Sequence, residues 1–171
     1  MTLAETFEPV TLRRAFAAFP TGVAALAALV DGSPQGMAVS SFTSVSLEPA
    51  LVLVCVARSS TTWPALSGSP RLGISVLSER QQRACQQLSA KGGDRFAGLE
   101  WRSAPSGAVF LEGAGAWFEC SAEQQTTAGD HNIVVLRVHD LDRDHDTYPL
   151  VFHGSRLCRL DLDPAPQVTN R

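Results

Sequence analysis

Arg58 and four hydroxyl residues, Ser59, Ser60, Thr61 and Thr62, follow directly after the apolar stretch 50–57. Hydroxyl groups and the free backbone amides at the start of a helix bind phosphate, and an arginine adds positive charge. The pattern is weak by itself, because serine and threonine are also the ordinary residues at helix starts. It indicates either a phosphate site or a plain helix cap.

A second segment, 36–46, is rich in small and hydroxyl side chains and includes Ala38, Val39, Ser40 and Ser41. Small side chains let backbone N–H groups approach a flat ligand, and hydroxyls can bond to its edge. The same composition is typical of a strand and turn whose serines face water. The segment therefore indicates either a site for a flat heterocycle or an ordinary strand with a solvent-exposed face, and composition does not decide between them.

Several other site patterns fail on their spacing. The four cysteines form no C-x-x-C pair, which excludes zinc-finger spacing and a dense disulfide scaffold. Three of them lie in apolar strand-like stretches and are interpreted as buried thiols, whereas Cys85 lies in a polar helix and is expected to be exposed. The alternating aspartates of 140–146 do not form a calcium loop, because Thr147 and His153 occupy its glycine and glutamate positions.

The composition is that of one globular domain, with 171 residues, 44% hydrophobic and 18% charged. A net charge of −3 provides no broad basic field, so neither nucleic acid nor an anionic membrane is an expected partner. The longest apolar runs are too short to span a bilayer, and the N-terminus lacks the pattern of a signal peptide. We therefore predict a cytoplasmic protein.

The elements that would position these residues are mainly strands. The apolar, β-branched run 50–57 is typical of a central strand buried on both faces. About seven such strands, without regular alternation with helices, predict a closed antiparallel barrel with peripheral helices. A turn is predicted at 31–34 and a glycine-rich, charged loop at 91–98.

Two of the peripheral helices have local signals. An apolar stripe formed by Leu12, Phe16 and Phe19 predicts a short helix that Pro20 ends. Ser78 and Gln81 have the spacing of a capping box, which predicts a mostly solvated helix through about residue 88.

Taken together, six segments in this order resemble the short-chain flavin reductase family: 19–23, 36–49, 58–61, 94–96, 129–131 and 149–152. The match covers about residues 12 to 160. It implies a mainly β, FMN-binding split β-barrel in residues 11–160, with an N-terminal extension, 1–10, and a C-terminal tail, 161–171. It also implies a homodimer that reduces FMN or FAD with NADH or NADPH and passes the reduced flavin to a partner monooxygenase.

The resemblance implies a role for each matching residue. The isoalloxazine ring would be lined, largely through backbone groups, by Ala38, Val39, Ser40 and Ser41. The ribityl phosphate would be held by Arg58, Ser59, Ser60 and Thr61, with Arg95 and Phe96 nearby. His131 would be the catalytic residue on the nicotinamide side, the alternative being a structural histidine at a strand start, and Thr21 and Gly22 would approach the same pocket.

Two departures from the family pattern bear on the strength of flavin binding. Ala38 stands where the family often has threonine, and Leu157 stands where an aromatic residue is common, which favours flavin as a released substrate. Because one fold hosts several functions, two alternatives stay open. They are an FMN-dependent oxidase or divergent enzyme that acts directly on a small organic substrate, and a non-enzymatic flavin- or haem-binding protein.

Overall fold

A computed structural model describes residues 7–160 of the chain. Within them lie three helices and twelve strands, in the order α1 (Pro9–Phe16), β1 (Thr21–Gly22), β2 (Ala24–Val30), β3 (Ser33–Val39), β4 (Thr43–Leu47), β5 (Ala50–Ala57), α2 (Trp63–Ser67), β6 (Leu72–Val76), α3 (Gln82–Leu88), β7 (Trp101–Ser103), β8 (Val109–Leu111), β9 (Ala116–Ala128), β10 (His131–Arg143), β11 (Leu150–His153) and β12 (Arg156–Arg159). The predicted tail 161–171 lies outside the described residues. Helix α1 begins inside the predicted N-terminal extension.

Seven strands form one antiparallel sheet in the order β3-β2-β6-β9-β10-β5-β4. Its two edge strands, β3 and β4, follow each other in the chain, yet they do not pair. The prediction of a closed barrel was therefore wrong, whereas the open sheet agrees with the split barrel that the resemblance implied. The other strands form a β1-β11-β12 sheet and a β7-β8 pair.

The β2–β3 hairpin turns at Asp31 and Gly32, within the turn that the sequence predicts. Both residues have positive φ, 50° and 76°. Two successive left-handed residues form the turn that matches the twist of paired strands, and glycine adopts this conformation without steric cost. The hairpin returns β3 along β2 and brings Ala38 opposite Ala25.

Strand β2 contributes side chains to two hydrophobic cores. Ala24, Leu26 and Ala28 pack in the first core, whereas Ala25 and Ala27 pack in the second. The alanines take little space, so elements on both sides can approach the strand closely. The second core joins β2 to α3 and thereby fixes the helix beside β3.

The sequence predicts that β5 is a central strand buried on both faces, and the structure shows a different environment. It lies next to the edge strand β4, and only its inward side chains Val52, Val54 and Val56 are buried. The side chains that alternate with them are half-buried on the outer face. An unbroken apolar run does not show whether the same chain covers its second face, and this is why the prediction failed.

Helix α1 ends at Phe16, before the predicted end at Pro20, and none of its residues is buried. The aromatic side chains of Phe16 and Phe19 are strongly exposed, at 70% and 73%. No helix within residues 7–160 is long and apolar enough to cross a membrane.

Helix α3 starts at Gln82, and one of the two hydrogen bonds of the predicted capping box is present. The Gln81 side-chain oxygen accepts a 2.9 Å hydrogen bond from the backbone N–H of Ser78. The helix buries Ala84, Cys85 and Leu88 in the second core. The expectation that Cys85 is exposed was therefore wrong, because its helix face packs on β2.

Candidate functional site

A cavity of about 640 Å³ lies beside the loop that follows β5. Its wall combines the hydroxyl residues Ser59, Ser60 and Thr61 with two cationic residues, Lys91 and Arg95. We call it the hydroxyl cavity. The folding of the glycine-rich loop against the end of β5 thus brings together hydroxyls and positive charges, which are the groups that bind phosphate.

Part of this polar wall is fixed by hydrogen bonds within the protein. The Ser60 hydroxyl accepts bonds from the backbone N–H groups of Thr62 (3.3 Å) and Trp63 (3.1 Å) at the start of α2. The Nη1 of Arg95 donates to Thr62 Oγ1 at 2.6 Å and to the Gly36 carbonyl at 3.1 Å. These bonds hold the Arg95 guanidinium against the cavity wall.

A smaller, more apolar cavity of about 290 Å³ adjoins the hydroxyl cavity. Ala38, Val39 and Ser40 line one side of it, and side chains of α3 line another. Ala38 and Ser89 line both cavities, so the small-residue segment and the hydroxyl cluster border neighbouring cavities. We call this part the ring cavity, because small apolar walls suit a planar heterocycle.

A third pocket, of about 540 Å³, lies between α1 and the small β1-β11-β12 sheet. We call it the α1 pocket. Its lining includes Arg13, Phe16, Phe19 and Thr21, and it shares Ser40 and Phe152 with the ring cavity. The three cavities therefore adjoin one another, and we call them together the trough.

Five predicted site residues do not line this trough, and two of them have clear structural partners. The Ser41 hydroxyl accepts a bond from the Cys55 backbone N–H at 2.8 Å and donates to the Cys55 carbonyl at 3.1 Å. This pair of bonds ties the chain after β3 to β5. Phe96 is 5% exposed and belongs to the second core, and its ring packs edge-on against Trp101.

The other three lie at strand ends near the trough. Gly22 pairs with Val151 in the small sheet, beside Thr21. The backbone N–H of Arg58 donates to the Asp130 carbonyl at 2.9 Å, and its exposed side chain reaches the Gly129 carbonyl at 3.5 Å. These bonds fasten the β9–β10 turn to the end of β5.

His131 begins β10 directly opposite Ala57, which lines the hydroxyl cavity. Opposed residues in neighbouring strands point to the same face of the sheet, so the imidazole lies beside the cavity wall. Its Nδ1 is 2.7 Å from Asp130 Oδ1, and its side chain is 45% exposed. The ring is thus held by one nitrogen and is partly exposed to solvent.

The electrostatics near this turn favour an ionised Asp130. The hydrogen bond from His131, followed by the charge of His131, lowers the pKa of Asp130, and the more distant charge of Arg13 lowers it further. Burial raises the pKa of the Cys85 thiol in the ring cavity and that of Cys120 to about 12. Both cysteines are therefore thiols at neutral pH and do not act as nucleophiles.

Comparisons with known proteins assign this arrangement to a family. The family model described as flavin reductase like domain matches residues 16–161. The chain belongs to the flavin reductase-like family. It is 36% identical to the reductase subunit of a flavin-dependent monooxygenase from Rhodococcus jostii, over 95% of this chain and 85% of that relative. It is also 37% identical to an actinorhodin polyketide dimerase from Streptomyces coelicolor, over 94% of this chain and 92% of the relative.

A solved structure shows the same architecture for another relative of this flavin reductase-like chain. The NADH:FAD oxidoreductase of Streptomyces globisporus superposes with a TM-score of 0.85 at 35% identity, over 94% of this chain and 99% of that one. The comparisons confirm the predicted family, the mainly β fold and the activity class of a nicotinamide-dependent flavin reductase. The predicted roles of individual residues stay predictions.

The residues of the trough fit a flavin nucleotide. The hydroxyl cavity supplies hydroxyls and cations for a phosphate, and the ring cavity supplies an apolar slot bordered by the edge strand β3. The predicted site did not include α3, which brings Gln86 and its C-cap residue Ser89 to the ring cavity. The spacing of Ala84, Cys85 and Leu88 on one face of that helix was the signal that would have placed it against the core.

Proposed function

We propose that this flavin reductase transfers a hydride from NADH or NADPH to FMN or FAD and releases the reduced flavin to a separate monooxygenase. The observation that carries the proposal is the junction of the hydroxyl cavity and the ring cavity at Ala38 and Ser89. A phosphate-binding end that leads into a flat apolar slot matches the two halves of a flavin nucleotide. The relative that serves as a monooxygenase reductase subunit supports the choice of acceptor.

In this proposal the hydroxyl cavity binds the ribityl phosphate. Ser59 and Thr61 donate hydroxyl hydrogen bonds to it, and Lys91 and Arg95 supply positive charge. Arg95 enters this interaction with little loss of conformational entropy, because its Nη1 is already bonded within the protein. The exposed Arg58 adds longer-range attraction for the anion.

The ring cavity holds the isoalloxazine ring against Ala38, Val39 and Ser40. Because β3 is an edge strand, the backbone groups on its outer side have no strand partner within residues 7–160 and are available to the ring edge. Amide donors at that edge stabilise the negative charge of a reduced flavin. The absence of a side chain beyond Cβ at Ala38 keeps this backbone accessible.

The two bound molecules supply the chemistry, since the hydride and its electron pair pass from the nicotinamide C4 to the flavin N5. The protein therefore needs neither a nucleophile nor an acid–base pair, and its residues align the reactants. His131 stands beside the cavity wall with Nδ1 engaged by Asp130, which leaves Nε2 to orient the dihydronicotinamide. This assigns His131 a contact with the coenzyme rather than a proton transfer.

A homodimer is part of the proposal, and the outer face of the β5–β10 pair supports it. Leu51, Leu53 and Cys55 alternate on β5, and they lie beside Ile133 and Val135 on β10, all half-buried. An apolar sheet face of this kind on a protein surface is typical of an interaction site. A second copy would complete the burial that β5 receives on one side only.

A second candidate function is direct action on a small organic substrate with bound flavin. The observation that favours it is the similarity to a polyketide dimerase, a relative that is not named as a reductase. The ring cavity would then admit the organic molecule in place of the nicotinamide. A cytoplasmic location remains a prediction under either function.

Steady-state oxidation of nicotinamide tests the proposal most directly. The purified protein, given NADH or NADPH and a several-fold excess of FMN or FAD, should bleach the nicotinamide absorbance with multiple turnovers and show free reduced flavin under nitrogen. Failure to oxidise either nicotinamide with either flavin would refute the reductase. A tightly bound chromophore that turns over only with an organic substrate would support the second candidate.

Sedimentation velocity tests the homodimer. We expect the wild-type chain to sediment as a dimer and Leu53→Glu to sediment as a monomer, because the change buries a charge in the proposed contact. A wild-type monomer at micromolar concentration would contradict this part of the proposal.

A further inference from the structure

We infer that Gln87 is a positioning residue, which holds Arg95 in place at the phosphate end of the flavin site. Gln87 lies on α3 and is not among the residues that line the hydroxyl cavity or the ring cavity. It acts through the backbone of the glycine-rich loop, 91–98, which carries Arg95. The inference rests on the proposed function, because that proposal places the flavin phosphate at Arg95.

The side-chain amide of Gln87 donates both of its N–H groups to this loop. Its Nε2 donates to the Arg95 carbonyl at 3.1 Å and to the Ala97 carbonyl at 2.8 Å. A primary amide nitrogen carries two hydrogens, so the two bonds do not compete. Within residues 7–160 no other hydrogen bond reaches these two carbonyl oxygens. Gln87 therefore fixes two peptide groups of the loop, one of which belongs to Arg95.

The glycines of the loop give the backbone of Arg95 little support of their own. Gly92 and Gly93 precede it with positive φ, 101° and 76°, and a Cβ atom at either position would meet nothing within 4 Å. Gly98 follows it, also with a positive φ, 68°. Glycine adopts this conformation without steric cost and restricts the chain little. The position of Arg95 therefore depends on contacts with other elements.

Phe96 makes one of these contacts, but it does not fix the neighbouring peptide groups. Its ring is buried in the second core and packs so close to Gly36 that a Cβ there would lie 2.9 Å from the Phe96 Cζ. A buried ring fixes where the loop passes, whereas the backbone on either side can still rotate. The two bonds from Gln87 remove this freedom.

The guanidinium of Arg95 keeps donors for a ligand. Its Nη1 is bonded to Thr62 and Gly36, whereas Nε and Nη2 make no hydrogen bond within residues 7–160. The N–H groups of Nε and Nη2 form a planar fork that can bind two oxygens of one phosphate. The fork stays aligned only while the backbone of Arg95 stays in place. Gln87 thus preorganises the phosphate contact without touching the phosphate.

The test compares the binding of FMN and riboflavin to the full chain by fluorescence quenching. Riboflavin has the same ring system and no phosphate, so it reports on the ring cavity alone. We expect Gln87→Ala to raise the Kd of FMN about fivefold, because Arg95 is no longer held, and to leave the Kd of riboflavin within about twofold. Gln87→Met, which keeps the side-chain length and the helix propensity but has no donor, should behave in the same way.

Gln82→Ala is the matched control. Gln82 is an exposed glutamine of the same helix, and its side chain makes no hydrogen bond within residues 7–160. Both Kd values should stay at the wild-type level in this variant. Equal losses of FMN and riboflavin affinity in Gln87→Ala would show that Gln87 supports α3 in general, and unchanged FMN affinity would show that it supports nothing at the site. Either result would overturn the inference.

A double-mutant cycle with Arg95 provides a second readout. If Gln87 acts through Arg95, Gln87→Ala should change FMN affinity by less than about twofold in the Arg95→Ala background. An undiminished loss in the double variant would show that Gln87 acts through another group, and the inference would fail. A wild type that binds riboflavin as tightly as FMN would instead refute the phosphate site of the proposed function.

Discussion

Ser60 and Thr62 are tied into the fold by hydrogen bonds, whereas Ser59 and Thr61, their neighbours in the chain, line the same cavity without such bonds within residues 7–160. The segment thus alternates between hydroxyls that build the site and hydroxyls that are available to a ligand. The composition of the segment does not show which hydroxyls are bonded and which are available, because the four side chains carry the same chemical group.

The same division separates Ser40 from Ser41. Ser41 bonds to both backbone groups of Cys55, and Ser40 lines the ring cavity and the α1 pocket. We therefore expect a ligand to be held by those hydroxyls of each segment that make no hydrogen bond within the described protein. Substitutions in the two groups should therefore separate stability from affinity.

The largest effect is expected for Arg95→Ala, because Arg95 belongs to both groups. It is bonded to Thr62 and Gly36, and it faces the proposed phosphate position. We expect FMN affinity to fall by about thirtyfold, or about 2 kcal/mol, together with a lower Tm. Fluorescence quenching and thermal unfolding measure the two effects. Arg95→Lys, which keeps the charge, should recover part of the affinity, and an unchanged Kd for FMN would contradict the assignment.

Ser41→Ala should lower stability without lowering affinity. The change leaves the backbone N–H and carbonyl of Cys55 without their hydroxyl partner, so we expect a loss of about 1 to 2 kcal/mol in the free energy of unfolding. Urea unfolding measures it, and the Kd for FMN should stay within twofold. Ser40→Ala is the matched control, for which the unfolding midpoint should not move. A large drop in FMN affinity in Ser41→Ala with wild-type stability would reverse the two roles.

Ser59→Ala and Thr61→Ala should show the opposite behaviour. Each removes one hydroxyl that has no partner in the described protein, so we expect FMN affinity to fall by about fivefold, or about 1 kcal/mol, at unchanged Tm. Thr61→Ser retains the hydroxyl and should bind FMN as the wild type does. Wild-type affinity in both alanine variants would remove Ser59 and Thr61 from the phosphate site.

The sequence predicted the strand pattern, the β2–β3 turn and the two segments that meet at the trough. Alternation and turn residues are local signals, and the segments 36–46 and 58–61 carry the unusual composition of a ligand site. It did not predict that β5 stands next to an edge or that Cys85 is buried. Both depend on which element covers a face, and that is decided by distant parts of the chain.

Site membership was the least predictable feature. Phe96 and Ser41 match a binding motif, yet the structure places one in the second core and the other against β5. Ser89 lines the cavity wall although its position in the sequence has no distinctive spacing. A motif shows which residues lie near a site, whereas hydrogen-bond partners show which of them remain available to a ligand.

The smallest effect is expected at His131, which again combines a group bonded within the protein with a group available to a ligand. Its Nδ1 is bonded to Asp130, and its Nε2 is available. Its bond lowers the pKa of Asp130, so the stabilisation from that carboxylate is present above the usual aspartate pKa and is lost as the pH falls through the lowered value. His131→Ala should raise the pKa of Asp130 toward its usual range, as measured by carboxyl carbon NMR shifts. Asp144, whose pKa is lowered chiefly by the Thr147 hydroxyl at 2.7 Å, is the internal control and should not respond. An unmoved Asp130 would show that the Asp130–His131 bond is not formed in solution, and His131 would then lose its fixed orientation toward the coenzyme.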